Sequence, residues 1–346
     1  MLNYKSDFII KKRPVVSLVE RSSASPVESP AVSLDVLPVE ISDESPVETS
    51  VEISDETSDE SPDESPVECP VKISHEKFDM LKKLDLSGLD VSNVKDLSNC
   101  FIGLKVLEYL NVSDWNVSNV NSLSGCFRNC NSLCSLDLSH WDVSNVVDMS
   151  DCFCNCSSLT SLKIDTWNTS NVKNLKWCFH CCSSLRSLDL NNWDVSNVET
   201  LSYCFSFCSS LSSLVVEHWN VSNVVDMSDC FSFCSSLSSL DVSRWNVSSV
   251  KNLAGCFSSC SSLSSLVIER WNTSNVEKLC GCFSGCTSLR SLDLSHWDVS
   301  RVYTLRGCFS NCESLEVLNI SNWMINEDCD TIYMTDGCDK LLNCTK

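Results

Sequence analysis

The chain has 346 residues, 25 cysteines, ten tryptophans and a formal charge of −21, with a pI near 4.5. So acidic a chain is repelled by phosphate backbones, which argues against nucleic acid as a partner. It holds no run of about eighteen apolar residues, so no membrane-spanning helix is expected.

The first twenty residues place Asp7 ahead of a three-residue apolar run and lysines behind it. An export signal needs its positive charge first and a longer apolar core after it. No lipidation box stands at either end, so an intracellular (cytoplasmic) setting is expected. Lys11-Lys12-Arg13-Pro14 is too short for a distinctive nuclear import signal. From Ser22 to Val71 there is no Lys or Arg, and variants of SPVE, VEIS and SDES succeed one another. Large apolar residues are too sparse there to offset the entropy of ordering, so residues 1–77 read as a disordered acidic arm. Ser25, Ser45, Thr57, Ser61 and Ser65 each precede Glu by three residues, a pattern suited to acid-directed kinases.

From residue 78 to 346 a repeat takes over. Trp115, Trp141, Trp167, Trp193, Trp219, Trp245, Trp271, Trp297 and Trp323 stand 26 residues apart with no insertion. An unbroken period of this length marks a stack of identical units. With Trp as position zero, one unit reads Leu292, Leu294, Trp297, Ser300, Val302, Leu305, Cys308, Phe309, Cys312, Leu315. The L-x-L pair alternates like a strand, and V-x-x-L-x-x-C-F-x-x-C has the spacing of a helical segment with one buried face. The expected fold is an α/β repeat solenoid of leucine-rich-repeat type, with one short strand and one short helical segment per unit. Phe78, Leu81, Leu84 and Leu86 lead into it as a cap. After Trp323 the pattern decays, with Asp328 in the place of Val and Thr335 in the place of Phe, as a terminal unit requires.

The motif W-[DN]-[VT]-S-N-V…F-x-x-C-x-S-L, carried by Trp141, Asp142, Val143, Ser144, Asn145, Val146, Met149, Phe153, Cys156 and Leu159, resembles the BspA-like leucine-rich-repeat family. The resemblance covers roughly residues 78–340. It implies a solenoid and, for many members, a role in surface adhesion. The chain departs from the family in placing Cys at the first position of C-F-x-x-C, where Met is usual.

Two cysteine ladders run through the repeat, from Cys100 to Cys308 and from Cys130 to Cys338. Cys is a small, frequently buried apolar residue, so reduced core packing is expected, with oxidised ladders as the alternative. A linear ladder does not converge on a tetrahedral zinc site. No cofactor or metal is expected, and His140, His218 and His296 have no nucleophile at a recognisable spacing. His180, Cys181 and Cys182 are adjacent but form no catalytic set. The outward strand positions carry Asp137, Asp189, Asp241 and Asp293 on alternate units, with Asp165, Glu217 and Glu269 two residues further on in the units between. Such carboxylates either protect an open sheet from aggregation or form a stripe for a basic ligand. Ten and fourteen residues after each Trp, where Gly, Asn, Asp or Ser are customary, stand Trp177, Cys181, Tyr203, Phe207 and, on the next unit, Phe233. Four apart on a helix, they would share one outward face as a contiguous aromatic cluster, which marks an interface or self-association.

The expected function is thus a non-enzymatic protein-binding solenoid, with a basic protein the partner its carboxylates would suit. An exported surface adhesin and a thiol-rich metal-binding or redox protein are the rivals. If the arm takes no part in the stack, deleting residues 1–70 leaves the melting transition within a few degrees. Differential scanning calorimetry of the truncated chain checks this.

Overall fold

The computed structural model describes residues 52–53, 71–72 and 81–345. Thirteen strands of two or three residues occur among them. They are β1 (Glu52–Ile53), β2 (Val71–Lys72), β3 (Lys83–Asp85), β4 (Tyr109–Asn111), β5 (Ser135–Asp137), β6 (Ser161–Lys163) and β7 (Ser187–Asp189). Then follow β8 (Ser213–Val215), β9 (Ser239–Leu240), β10 (Ser265–Leu266), β11 (Ser291–Asp293), β12 (Val317–Asn319) and β13 (Asn343–Thr345). From β3 onward all pairings are parallel and join a strand to its equivalent 26 residues later, as Ser187 to Ser213 and Leu188 to Leu214. A second ladder of single parallel bridges runs from Asp96–Ser122 to Thr304–Asp330. The molecule is a β-solenoid, one rung per repeat.

The helical segment is absent; no helix forms among the described residues. Each rung instead has left-handed backbone ten and fourteen residues after its Trp, for example Asn99 and Gly103, Asp151 and Asn155, Gly307 and Asn311. A left-handed residue every fourth place ends any helix. It also sends alternate N–H groups along the stack. Leu201, Tyr203, Phe205 and Phe207 donate to the carbonyls of Asp226, Ser228, Cys230 and Ser232 on the next rung at 2.7–2.9 Å, while Cys204, Ser206 and Cys208 close turns within their own rung. Apolar residues three and four apart fit this arrangement as well as a helix. The Gly, Asn and Asp between them are the sign that distinguishes the two.

Within this frame the core forms columns. Trp rings stack on their equivalents at 6.0–6.5 Å, and Phe rings from Phe101 to Phe309 at 5.4–5.7 Å. Several kinds of side chain, Ser and Thr hydroxyls among them, satisfy carbonyls of the preceding rung. Trp167 Nε1 donates to Leu138 O at 2.9 Å, Cys208 Sγ to Phe179 O at 3.1 Å, and Asn197 Nδ2 to Ser170 O at 2.7 Å. The repeat's W-[DN]-x-S carries a further bond, in which the Asp or Asn accepts from the Ser N–H two residues on, as Asp142 from Ser144 at 3.0 Å. Ser144 holds the Asp142 carboxyl below the usual carboxylate range.

β1 and β2 pair antiparallel within the stretch read as a disordered arm, and Val71 is buried with the core. The rest of that arm, with its Ser-x-x-Glu sites, Lys11–Arg13 and the cap residue Phe78, lies outside the described residues. Leu81, Leu84 and Leu86 are buried, as a leading cap requires.

Trp167→Phe keeps an aromatic ring but removes the donor to the buried Leu138 carbonyl. An orphaned buried carbonyl costs about 1–3 kcal/mol, and the smaller ring adds a packing loss. Trp323→Phe, at a half-buried position, destabilises less. Urea unfolding of the two variants measures the difference.

Candidate functional site

Two outward surfaces gather the residues singled out in the sequence. The first is the strand face. Asp137, Asp189, Asp241 and Asp293 are exposed there, together with Asp165; Glu217 and Glu269 are half-buried beside them. Each of the four aspartates also ends its strand with a turn. Asp189 Oδ1 accepts from Asn191 N at 3.0 Å and Asp241 Oδ1 from Ser243 N at 3.0 Å; Asp137 and Asp293 do the same with Ser139 and Ser295. The alternate-rung rhythm of these aspartates matches a rhythm in the sheet. Strands β5–β6, β7–β8 and β9–β10 are hydrogen-bonded as pairs, each pair opening on an Asp rung.

Between pairs the surface opens. A shallow cleft of about 240 Å³ lies between β8 and β9, lined by Val215, Glu217 and Asp241. Another of about 360 Å³ follows β10, lined by Val267, Glu269, Asp293 and Val317. Some of the charge is already paired. Lys163 Nζ sits 2.6 Å from Asp137 Oδ2, and with Ser139 it holds the Asp137 carboxyl down to about 2. His218 Nε2 approaches Glu217 Oε1 at 2.9 Å. His140, His218 and His296 are exposed.

The second surface is the turn face, where the left-handed residues lie. Trp177, Cys181, Tyr203, Phe207 and Phe233 all occupy these positions, with φ of 58°, 59°, 57°, 60° and 59°. They come together as expected, for a different reason than a shared helical face. Ladder bonds hold their backbones, as with Trp177 N to Ser202 O at 3.0 Å and Phe233 N to Ser258 O at 2.7 Å. The side chains lean along the stack onto the next rung. Phe207 stacks on Phe233 at 4.3 Å between ring centroids, with planes 9° apart. Trp177 meets Tyr203 edge-on at 5.8 Å. His180 is the hub, 5.7 Å from Phe207, 6.3 Å from Tyr203 and 6.4 Å from Trp177.

Several members of this patch were not expected from the sequence. His180 stands thirteen residues after Trp167, where Ser is customary further along the stack; burial pushes its imidazole below the usual range. Its Nδ1 is buried without a hydrogen-bond partner, as is the hydroxyl of Ser206. Lys176 Nζ lies 4.8 Å from the Trp177 ring centroid, a cation–π contact. On one flank Arg128 pairs with Asp151 at 3.2 Å. On the other, burial pushes the Asp229 carboxyl up, with Tyr203 and Ser232 opposing the shift. The Asp229 carboxylate fills the space where a Cβ on Gly255 would stand, so a side chain there would have to push Asp229 aside, and the small-residue surface resumes at Gly255.

The cysteine ladders run inside, away from both surfaces. Beyond Cys100, which is disulfide-bonded, their members are free thiols, buried from Cys126 to Cys312. Burial pushes those of Cys130 and Cys208 up to about 12. Thiolate nucleophiles and thiolate ligands are therefore suppressed along the buried part of the ladders, whereas the thiol of the half-buried Cys338 at the end of the second is held down to about 7 by its contact with Cys312. Among the described residues, no group of three or more His, Cys, Asp or Glu converges on a point that could hold a metal ion. None of their helices is long and apolar enough to cross a membrane.

A one-strand rung repeated without insertion, with parallel ladders and stacked core columns, defines a leucine-rich-repeat-like solenoid. The chain belongs to the family described as "Mycoplasma protein of unknown function, DUF285", whose model matches residues 73–187, 121–240, 173–267 and 232–344. The comparison with curated proteins finds no match. Among solved structures, the chain is similar to a leucine-rich repeat protein from Bacteroides ovatus ATCC 8483, at 20% identity and TM-score 0.38, over 69% of this chain and 54% of that one. It is also similar to TLR13 in complex with ssRNA13 (17%, TM-score 0.27, 71% and 44%). A third is an internalin from Listeria monocytogenes str. 4b F2365 (14%, TM-score 0.22, 78% and 88%). The chain spans about half the length of the first two.

Proposed function

We propose that the chain is a non-enzymatic protein-binding scaffold whose contact site is the aromatic patch on the turn face. One observation carries this: bulky side chains held in left-handed backbone on three consecutive rungs. A non-glycine residue in that conformation costs about 1–2 kcal/mol. Elsewhere in the stack Gly, Asn, Asp or Ser fill these places, except at Tyr333 in the last rung. The strain brings least burial at Phe207 and Phe233, which are 41% and 42% exposed, while Trp177, Cys181 and Tyr203 are half-buried. Strain without structural return is characteristic of functional positions, and a partner covering the rings supplies the missing burial.

Asn suits left-handed backbone. Phe207→Asn with Phe233→Asn is therefore expected to leave the melting temperature unchanged within a few degrees or to raise it, while removing the contact. Should the double variant unfold, the rings are core and the site does not exist. Calorimetry beside a binding assay separates the two outcomes.

The strand face supports a second reading, a stripe for a basic ligand. Its support is the pair of clefts walled by Glu217 and Asp241 and by Glu269 and Asp293, with exposed Val215 and Val267 for the alkyl part of a Lys or Arg side chain. Replacing Asp137, Asp189 and Asp241 by Asn and Glu217 by Gln keeps the turn-closing acceptors while removing charge. An oligoarginine probe is then expected to associate more slowly and to lose most of its salt dependence. Equal association by the parent chain at low and high salt refutes the stripe. Surface adhesion, as the BspA-like resemblance implies, would place either surface outside the cell.

A further inference from the structure

We infer that the occupant of the aromatic patch is a second copy of this chain, docked turn face to turn face across a two-fold axis. The inference rests on the patch being a contact site, and it names the partner.

A two-fold interface has to be self-complementary, so that each residue meets its counterpart's neighbourhood and not a foreign surface. The patch is laid out in that way. Tyr203 and Phe207 share its middle rung. Trp177 stands one rung before them and Phe233 one rung after, at the opposite turn position. The apolar stripe therefore runs obliquely across three rungs and is centred on Tyr203 and Phe207. A two-fold axis that lies in the face and crosses the stripe at its centre brings the Trp177 end of one copy onto the Phe233 end of the other.

Charge follows the same operation. The Trp177 end carries Lys176, exposed and held against the Trp177 ring. The Phe233 end carries Asp226 and Asp229, both half-buried. Reversing the stripe brings Lys176 of each copy towards the Asp226–Asp229 end of the other, opposite charges at both ends of the contact. The parallel arrangement, by contrast, sets the lysines against each other and the carboxylates likewise. Beyond the stripe the face is low after it, where Gly255, Ser258 and Ser259 stand, while the rungs before it carry the Arg128–Asp151 pair among Ser124, Gly125 and Ser150. The low side lets the two backbones approach, and the paired charge on the other side borders the contact.

Sedimentation equilibrium of the full chain tests this. A dimer is expected over the micromolar range. Phe207→Asn with Phe233→Asn is expected to weaken it roughly a hundredfold, about tenfold for each substituted position with both copies counted together. Lys176→Glu and Asp226→Lys are each expected to weaken self-pairing, and when mixed to form the heterodimer in preference to either homodimer. Lysine is tolerated at the latter place, since Lys278 occupies the same rung position two rungs on. A monomeric parent chain overturns the inference, as does a dimer indifferent to the ring substitutions. If the parent is monomeric while the double Asn variant keeps its melting temperature, only the self-pairing falls and the contact site stands. If that variant unfolds, both fall.

Discussion

The whole structure depends on backbone hydrogen bonds that run from each rung to the next, and those bonds depend on a period of 26 that never slips. Because Leu201, Tyr203, Phe205 and Phe207 donate in succession to one neighbouring rung, an inserted residue would reverse the phase of every donor after it. The same bonds fix the left-handed residues, since only a backbone that turns back every fourth place can point alternate N–H groups along the stack. Side-chain columns are a consequence. Once rungs are held in register, Trp must meet Trp and Phe must meet Phe, and a residue that packs well in one rung packs well in all.

This explains the unusual demands on two repeated residues. A rung bent by left-handed turns leaves inward carbonyls that no backbone N–H satisfies completely. Trp Nε1 and the second-ladder Cys Sγ reach back to such carbonyls inside the core, 29 residues earlier in each case. Cys suits its place because it is small and apolar and still donates. Serine would exchange a weak donor for a hydroxyl that is costlier to bury, and alanine would leave the carbonyl with one bond fewer. The abundance of cysteine is therefore accounted for without metal or disulfide chemistry along the buried ladders.

The period, the strand at L-x-L and the core membership of Trp, Phe, Leu and the ladder cysteines were legible in the sequence because each follows from apolar spacing alone. The helix was misread because V-x-x-L-x-x-C-F-x-x-C satisfies two geometries. The polar residues between, such as Gly307 and Asn311, decide for turns. The patch residues were legible as departures from the repeat, whatever the local backbone. The contribution of His180, Lys176 and Asp229 was not, because it depends on side chains leaning across rungs, and no spacing within one repeat encodes that. Nor could spacing show that the strand-face aspartates close turns, or that Lys163 neutralises Asp137 from the neighbouring rung.

The direction of the ladder also gives the stack unlike ends. Every turn-face N–H on the stack axis points towards the C-terminal rung, so that rung's own donors at Thr331, Tyr333, Thr335 and Gly337 have no further rung to meet among the described residues. A row of parallel N–H groups carries partial positive charge, as a helix N-terminus does. Glu327, Asp328, Asp330, Asp336 and Asp339 gather on this same rung. Part of this charge is used within the protein: Asp330 accepts from Ile332 N at 3.0 Å and lies 3.6 Å from Arg306. Asp328 and Thr335 also replace the Val and Phe on which another rung would stack. Charge and the loss of two apolar columns together disfavour the stacking of another rung of the same kind on this one. The same end also exposes Met324, Ile332, Tyr333 and Leu342, so what distinguishes it from the middle of the turn face is its charge and its missing columns, not freedom from apolar surface.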